Sequence, residues 1–312
     1  MNPLSAIFGT GVRLRNALYD RGTLSVRRLA RPVVSVGNIS VGGSGKTPFV
    51  IALGELLKQR GIAFDVLSRG YGRNSTEIAV VEPGGTAAQF GDEPLLIAQK
   101  LGVPVIVGAD RYQAGLLAEK QFPARLHLLD DGFQHRRLHR DFDVVLLPRE
   151  DSRGSLLPFG RLREPISSLR RADAIVLSEP LRIIGATPEA WPVRRVVSPP
   201  AVSERMTAFC GIARPSQFFA TLRELGHDQW GQLSFPDHHR YHQPDIDRLL
   251  RLRSRAGATA FITTEKDLIN LGPLAAQLQP LHVAGLRIEL DQPEEALSFL
   301  LRIIETRSGC RL

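Results

Sequence analysis

The chain has 312 residues, 43% of them hydrophobic, so it can bury a large core and favours two lobes over one. Its 40 basic and 32 acidic side chains give a net charge of +8, which suits nucleic acid, an anionic membrane surface or a phosphorylated substrate. No zinc-ligand spacing, helix-turn-helix or aromatic-basic RNA motif is present, so we predict no nucleic-acid partner. The two cysteines, Cys210 and Cys310, belong to no motif, which excludes a disulfide scaffold and fits a reducing cytoplasm.

The N-terminal segment is the first predicted element. No apolar run approaches a membrane span, and the segment lacks the apolar core of a signal peptide. Apolar and basic residues nevertheless alternate there at near-helical spacing: Leu4, Ile7, Phe8, Leu14 and Leu18, with Arg13, Arg15, Arg21, Arg27, Arg28 and Arg31. This pattern predicts either a helix lying on acidic lipid or a helix packed on its own protein, and the residues alone favour packing.

A phosphate-binding loop is predicted next. The apolar run 33–36 leads into a loop that ends in Gly45-Lys46-Thr47, and apolar residues then open a helix. This is the strand, loop and helix context of a P-loop, whose N–H groups surround phosphate oxygens. The predicted nucleotide-binding residues are Ser40, Val41, Gly42, Gly43, Ser44, Gly45, Lys46 and Thr47. Ser40 occupies a position where the general pattern has glycine.

Later strands and helices alternate, which indicates an α/β fold. The predicted strands are 32–36, 64–68, 78–81, 103–107, 126–129, 144–147 and 174–177, and the predicted helices between them are 48–60, 93–101 and 111–120. Continuous apolar strands of this kind are buried on both faces of a mostly parallel sheet flanked by helices. We therefore predict a P-loop NTPase-like core.

A change of texture at residues 191–205 predicts a linker or hinge, because Trp191-Pro192 and Ser198-Pro199-Pro200 favour irregular backbone. Beyond it, strands at 207–211 and 258–263 and helices at 215–225, 244–254 and 294–305 predict a second, smaller α/β lobe. The expected domains are thus residues 1–200 and 201–312, with the last helix able to pack back on the core.

Several charged residues follow predicted strands. Asp130 and Asp131 end an apolar strand, which favours a Mg²⁺ site over a simple turn once a P-loop lies upstream. Asp92, before an apolar helix, is first interpreted as a helix cap. Arg111 follows another strand and could contact a phosphate or only solvent.

Two further segments have plain interpretations from the residues alone. Arg163 and Glu164 stand in a segment that is typical of a solvated loop. His238 lies in a histidine-rich stretch that lacks the ligands of a zinc site, so a hydrogen-bonded loop histidine is the default interpretation.

These motifs together resemble one family, the tetraacyldisaccharide 4'-kinases of lipid A biosynthesis. The resemblance rests, in chain order, on residues 37–48, Ser68-Arg69-Gly70-Tyr71-Gly72-Arg73, Gly91-Asp92-Glu93-Pro94, Asp130-Asp131-Gly132-Phe133-Gln134-His135, Leu162-Arg163-Glu164-Pro165, Gly211-Ile212-Ala213-Arg214-Pro215, Phe235-Pro236-Asp237-His238 and Thr263-Thr264-Glu265-Lys266-Asp267. The ordered set covers most of the chain and is far more specific than any one motif. The family commonly has a small hydroxyl residue at the position of Ser40.

The resemblance implies a reaction and a set of roles. ATP would phosphorylate the 4'-hydroxyl of an acylated glucosamine disaccharide 1-phosphate, giving lipid IVA. Lys46 and the loop would hold the phosphates, while Thr47, Asp130 or Asp131, and Glu164 would manage Mg²⁺. Asp92 would accept the hydroxyl proton and His238, from the second lobe, would orient it. Arg111 and Arg163 would neutralise phosphate charge.

The resemblance also implies a location, the cytoplasmic face of the bacterial inner membrane, with the protein bound peripherally to the anionic surface. It thereby reverses the interpretation of the N-terminal helix in favour of membrane contact, and we expect a monomer. Two alternatives from other classes remain: an ATPase or GTPase switch, and a membrane-surface module with a vestigial nucleotide site. Thr264-Glu265-Lys266-Asp267 does not match a guanine-binding motif, and the intact Lys46 and Thr47 argue against a vestigial site.

Overall fold

The computed structural model describes residues 3–178, 188–198, 204–227 and 229–312. Within these ranges, twelve strands form one sheet in the order β10-β9-β11-β12-β8-β7-β6-β1-β5-β2-β4-β3. The strands are β1 Val33–Asn38, β2 Phe64–Ser68, β3 Ala79–Val80, β4 Val105–Val107, β5 Leu126–Asp130, β6 Phe142–Leu146, β7 Ala174–Leu177, β8 Glu189–Ser198, β9 Met206–Cys210, β10 Gln229–Ser234, β11 Ala260–Thr264 and β12 Leu281–Leu290. The predicted α/β class with a large, mostly parallel sheet is confirmed.

Helices cover the sheet. The α-helices are α1 Pro3–Asp20, α2 Lys46–Gln59, α3 Ala87–Phe90, α4 Asp92–Leu101, α5 Arg111–Gln121, α6 Pro215–Glu224, α7 Gln243–Ala256, α8 Glu265–Leu271 and α9 Pro293–Ser308, with short 3-10 helices at Arg149–Asp151, Ile166–Arg171 and Gly272–Leu278. The continuous apolar strands lie in the middle of the first lobe, as expected for strands buried on both faces. All six residues of β1 are buried between β5 and β6. The P-loop therefore leaves the sheet from a central strand.

The two lobes meet at β8 and β12. β8 runs parallel to β7, whereas β12 pairs antiparallel with β8 over residues 285–290. β11, β9 and β10 then continue parallel to β12, so the second lobe's strands run opposite to those of the first. Residues 191–198, predicted as part of a linker, are instead most of β8, while 199–203 lie outside the described residues.

Separate apolar clusters lie beneath the two parts of the sheet. One large cluster spans β1, β5, β6 and α2, and two smaller clusters, one around Phe218 and one around Phe209 and Phe261, belong to the second lobe. The last helix, α9, packs Leu297, Leu300 and Ile304 into the first cluster. The division at residue 200 stays a prediction, but the chain's last helix lies on the first lobe.

The N-terminal helix α1 faces the protein with its small and polar residues. Ser5, Gly9 and Asn16 are buried, and the Ser5 hydroxyl donates to the Leu156 carbonyl at 3.0 Å. Leu4, Ile7 and Leu14 point outward, with 55%, 68% and 61% of their surface exposed. None of the helices in the described ranges has the length and apolarity that crossing a bilayer requires.

Candidate active site

The P-loop follows β1 and wraps toward the first turn of α2. Gly42 and Gly45 have φ values of 82° and 87°, a region that side chains rarely adopt, so the loop needs glycine at both. The Asn38 amide donates to the Ser44 hydroxyl at 2.9 Å, and its Oδ1 lies 3.4 Å from Lys46 Nζ. The last strand residue thereby orients the end of the loop that leads into α2.

The head of the loop is held by a neighbouring segment. The Ser40 hydroxyl is buried and donates to Asp151 Oδ2 at 2.6 Å. The Val41 N–H donates to the Arg161 carbonyl at 2.8 Å, and Ser40 forms an antiparallel bridge with Leu162. A hydroxyl at position 40 therefore has a structural task here, since it donates to a buried carboxylate whose other partners, Arg161 and Arg214, are 3.4 and 3.7 Å away.

Two carboxylates lie at the carboxyl end of β5, beside the loop. Lys46 Nζ is 3.4 Å from Asp131 Oδ1, and Arg163 Nη1 is 3.3 Å from Asp131 Oδ2. Burial acts to raise the pKa of Asp131, but these two cations hold it below its ordinary value. Asp131 thus connects the P-loop lysine to Arg163, so three of the predicted residues meet.

The pKa of Asp130 is shifted in the opposite direction from that of Asp131. Its Oδ2 accepts from the Ser68 hydroxyl at 2.9 Å, whereas its Oδ1 is buried without a hydrogen-bond partner. Burial, together with the negative charges of Glu93 and Asp131, raises the pKa of Asp130 to about 7. A buried carboxyl in this state is prepared for a cation, whose charge would favour its ionised form.

The donor set fits Mg²⁺ bound together with a nucleotide. Thr47 is buried at the second residue of α2 and directly follows Lys46, whose ammonium lies 3.4 Å from Asp131. Among the described residues, no group of three or more His, Cys, Asp or Glu side chains could hold a metal. Magnesium needs no such cage, because phosphate oxygens and water supply most of its ligands.

Glu164, predicted to help manage Mg²⁺, has other partners in the structure. Its carboxylate is fully buried, and Oε2 accepts from Asn16 Nδ2 and from Arg171 Nη2, each at 2.7 Å. Oε1 has no hydrogen-bond partner and lies 3.7 Å from Arg15. Glu164 is therefore anchored toward α1, and its role at a metal stays a prediction. The solvated loop that the residues alone suggested is wrong, since its side chain is buried.

The two lobes jointly build a second cluster, around Asp92. Asp92 is the first residue of α4 and is 4% exposed, while His238 follows β10 of the second lobe. His238 Nδ1 lies 3.0 Å from both carboxylate oxygens of Asp92, which is more than a helix cap requires. The structure thus joins two residues that are 146 positions apart.

Charges and hydrogen bonds from the second lobe determine the protonation states of Asp92 and His238. Burial would raise the pKa of Asp92, but the hydrogen bond from His238 and the positive charge of Lys266 lower it to about 2. Burial would lower the pKa of His238, yet its hydrogen bond to Asp92 raises it above the ordinary value. Asp92 is therefore ionised at neutral pH and able to accept a proton.

Two members of the cluster were not singled out from the sequence as site residues. Asn270 Nδ2 donates to Asp92 Oδ2 at 2.9 Å, and Lys266 Nζ lies 3.2 Å from His238 Nε2 and 3.8 Å from Asp92 Oδ2. Both are on α8, four residues apart and hence on one helix face. The sequence signal that could have revealed them is their four-residue spacing directly after a predicted strand.

Backbone strain marks the same two clusters. Within the described ranges, Asp131 and His238 are the non-glycine residues with positive φ, at 51° and 58°. Such conformations are uncommon for residues with a side chain and concentrate where the surroundings impose a geometry. The two strained residues belong to the two candidate clusters.

Arg111, the predicted phosphate contact, is buried near other charged side chains. It begins α5, is 6% exposed, and its Nη1 donates to the Ala109 carbonyl at 2.8 Å. Burial and the charge of Arg69 lower the pKa of Arg111, while Asp131 and Asp130 act in the opposite direction. Arg111 is therefore buried, with the acidic pair close enough to influence its pKa.

Strand β8, where the two lobes meet, and the start of the second lobe cover the P-loop from outside. Arg195 on β8 donates to the Ser44 carbonyl at 3.2 Å, and Arg214 forms an ion pair with Glu150. A Cβ at Gly43 would lie 3.2 Å from the Cβ of Ala213. The loop's outer side is thus in contact with β8 and with the start of α6.

Comparison with known proteins agrees with this arrangement. The sequence profile of the LpxK family, described as tetraacyldisaccharide-1-P 4'-kinase, matches residues 1–305. A tetraacyldisaccharide 4'-kinase from Koribacter versatilis is 51% identical over 99% of this chain and 100% of its own length. The enzyme of that name from Aquifex aeolicus is 36% identical, covering 96% of this chain and 97% of its own.

A solved structure gives the same result in three dimensions. The crystal structure of LpxK from Aquifex aeolicus in complex with ATP superposes with a TM-score of 0.80 at 35% sequence identity, covering 97% of this chain and 98% of that one. Sequence and fold therefore agree over essentially the full length of the chain, P-loop lobe and second lobe alike. This chain belongs to the tetraacyldisaccharide 4'-kinase family.

Proposed function

We propose that this protein is an ATP-dependent kinase that transfers the γ-phosphoryl group of ATP to the 4'-hydroxyl of tetraacyldisaccharide 1-phosphate, forming lipid IVA in lipid A biosynthesis. One observation carries the proposal. A buried, ionised Asp92 is held by His238 and Asn270 of the second lobe, in a chain whose first lobe has a complete P-loop. A switch that transfers phosphate to water does not require a second lobe that delivers partners to a buried carboxylate.

The donor side of the reaction falls to the P-loop. The Val41 N–H is already bonded to the Arg161 carbonyl. The N–H groups of residues 42–47 and the Lys46 ammonium would bind the β and γ phosphates, helped by the N-terminal end of α2. Mg²⁺, held by Thr47 with Asp130 or Asp131, would neutralise charge on those phosphates. Arg163 and Arg111 add fixed positive charge at the same place, so the developing charge on the transferred group meets cations already in position.

The acceptor side falls to Asp92. Its carboxylate would accept the proton of the 4'-hydroxyl as that oxygen attacks, and His238 and Asn270 fix the direction of its lone pairs. The low pKa of Asp92 suits phosphoryl transfer, because the loose transition state asks for positioning more than for a strong base. Contact between the lobes would also keep water away from the phosphate.

The location is also part of the proposal: the cytoplasmic face of the bacterial inner membrane, bound peripherally through α1. The exposed Leu4, Ile7 and Leu14 on α1 support it, as do Arg13 and Arg21, which are exposed and form no ion pair within the described ranges. Such a helix lies in an interface with its apolar side in lipid. The acyl chains of the acceptor would lie in the same bilayer. A monomeric state remains a prediction.

The test follows γ-labelled ATP. With Mg²⁺ and acylated disaccharide monophosphate, label should enter the lipid. In Asp92→Asn, turnover should fall by roughly 10²- to 10⁴-fold while ATP binding persists. Asp247→Asn is the matched control, since Asp247 is exposed and bonded only to Gln243 in the described contacts. Label in free phosphate alone would favour a hydrolytic switch, and no transfer at all would favour a binding module. Near-normal turnover in Asp92→Asn would remove the base role.

A further inference from the structure

The inward face of α1 ends on a buried carboxylate. Glu164 has no exposed surface, and its Oε2 accepts hydrogen bonds from Asn16 on α1 and from Arg171, both at 2.7 Å. Asn16 is itself only 8% exposed. A buried carboxylate keeps its place only while its donors remain, because an unpaired charge in the interior is costly. The Asn16 amide is therefore one of the two side-chain hydrogen-bond donors to Glu164, and Arg15 adds a longer ion pair at 3.7 Å.

The segment carrying Glu164 runs directly along the head of the P-loop. The Arg163 N–H donates to the Ile39 carbonyl at 2.7 Å, and the Val41 N–H donates to the Arg161 carbonyl at 2.8 Å. The Arg161 guanidinium returns a hydrogen bond to the Val41 carbonyl at 2.9 Å. Residues 161–164, here called the tie segment, thus hold residues 39–41 through the backbone. A shift of Glu164 would move the loop and would carry Arg163 away from Asp131.

A second attachment joins α1 to the same region. Arg136 donates to the Asn16 carbonyl at 3.0 Å and to Asp20 at 2.8 Å. Two residues before it, the Gln134 amide donates to the Asn38 carbonyl at 2.7 Å, at the end of β1. Asn16 therefore contributes its side chain to one attachment and its backbone to the other, and both lead to the P-loop.

We propose that Asn16 is a positioning residue for the nucleotide site: through Glu164 and the tie segment it sets the P-loop geometry on which ATP affinity depends. The proposal rests on the proposed function and adds a second role to α1. Its outward face would meet lipid, whereas its inward face would order the phosphate-binding loop. Asn16 touches neither nucleotide nor acceptor, so its effect has to pass through these contacts.

The test measures equilibrium binding of labelled ATP with Mg²⁺, without any acceptor, on the full chain in detergent. Asn16→Ala should weaken ATP binding about three- to tenfold, as expected for a change within a coupled network. Asn16→Gln, which keeps an amide donor, should recover part of the loss. The matched control is Thr10→Ala on the same helix, because Thr10 is exposed and its hydroxyl donates only to the Ala6 carbonyl among the described contacts. This control should bind ATP as the parent protein does.

The outcomes separate the inference from the function on which it rests. A parent protein that binds no ATP would remove the proposed function itself. A parent protein that binds ATP, with Asn16→Ala within twofold of it, would overturn the role of Asn16. Partition of Asn16→Ala into anionic phosphatidylglycerol vesicles is measured in parallel and should be unchanged, since the outward face is intact. If Asn16→Ala fails to fold, Asn16→Gln decides the matter. Binding by Asn16→Gln weakened more than tenfold would overturn the role of the donor.

Discussion

Two helices beside the P-loop turn different sides toward the protein: α2 buries its apolar side, whereas α1 buries small and polar residues. α2 begins in the loop and buries Phe49, Val50, Leu53 and Leu57 in the main apolar cluster. α1, of similar length, buries Ser5, Gly9 and Asn16 and leaves Leu4, Ile7 and Leu14 exposed. α2 follows the ordinary rule that a helix on a globular protein turns its apolar side inward. α1 breaks that rule on both sides.

This difference shows that the apolar surfaces of the two helices are removed from water in different ways. The apolar surface of α2 is removed from water by the protein itself, so it contributes to folding stability. The apolar surface of α1 remains in water in the isolated protein, and only lipid or another partner removes it. The polar contacts of α1 replace apolar packing as its attachment to the protein, chiefly through Asn16 and Ser5.

The largest effect that tests this contrast is on stability. Leu53→Ala on α2 should lower the free energy of unfolding by about 3 kcal/mol, because it opens a cavity at a side chain that is 1% exposed. Ile7→Ala on α1 should change it by less than about 0.5 kcal/mol, since Ile7 is mostly exposed. Urea unfolding followed by circular dichroism measures both. A loss of more than about 2 kcal/mol in Ile7→Ala would show that α1 packs its apolar side inward after all.

A third helix, α4, extends the comparison. Like α1 it buries a polar residue, but that residue, Asp92, is ionised. The pKa of Asp92 is lowered from 3.8 to about 2 in the folded protein. Ionised Asp92 therefore contributes stability that is present above its unfolded pKa and is lost as pH falls toward 2. The full contribution is about 2 kcal/mol, of which about 1 kcal/mol is lost between about pH 5 and about pH 3.

Asp92→Asn should remove that part of the pH dependence. Its unfolding free energy should fall less steeply with acid than that of the parent protein, by about 1 kcal/mol over the same interval. Urea unfolding at several pH values gives the two slopes, with exposed Asp247→Asn as control. Identical slopes for Asp92→Asn and the parent would mean that the pKa of Asp92 is not depressed. Asn16 is uncharged, so the buried polar end of α1 carries no such acid dependence of its own.

Most of the first lobe could be predicted because its signals are local. β2 and β7 were placed at their observed bounds, since continuous apolar runs bounded by polar residues define buried strands. β8 was missed because Trp191-Pro192 favours a turn, yet its backbone continues between β7 and β12. β10, β12 and α8 were not predicted either. β10 and β12 are interrupted by glycine and by polar residues, so neither strand has a long apolar run to reveal it.

The candidate site divides in the same way. Lys46, Thr47 and the Asp130–Asp131 pair follow from short motifs beside strands, and the structure places them at one edge of the sheet. The cap interpretation of Asp92 could not be improved from residues alone, because His238 and Asn270 reach it from the other lobe. The sequence gives Asp267 no role of its own, only a place in the family motif 263–267 and in a sequence that does not match a guanine-binding motif. Asp267 is fully buried, and it accepts from Tyr241 and from the Gly211 N–H within the second lobe.

The smallest expected effect concerns the outward face of α1 itself. Ile7→Ser should weaken partition into phosphatidylglycerol vesicles about fivefold, or about 1 kcal/mol, because it removes one apolar side chain from the interface. Cosedimentation measures it, and raising the salt should weaken the parent protein too, since exposed Arg13 and Arg21 contribute through charge. Thr10→Ser, at a polar position that is also exposed on the helix, is the control. Unchanged partition in Ile7→Ser would mean that the exposed apolar face of α1 serves a partner other than lipid.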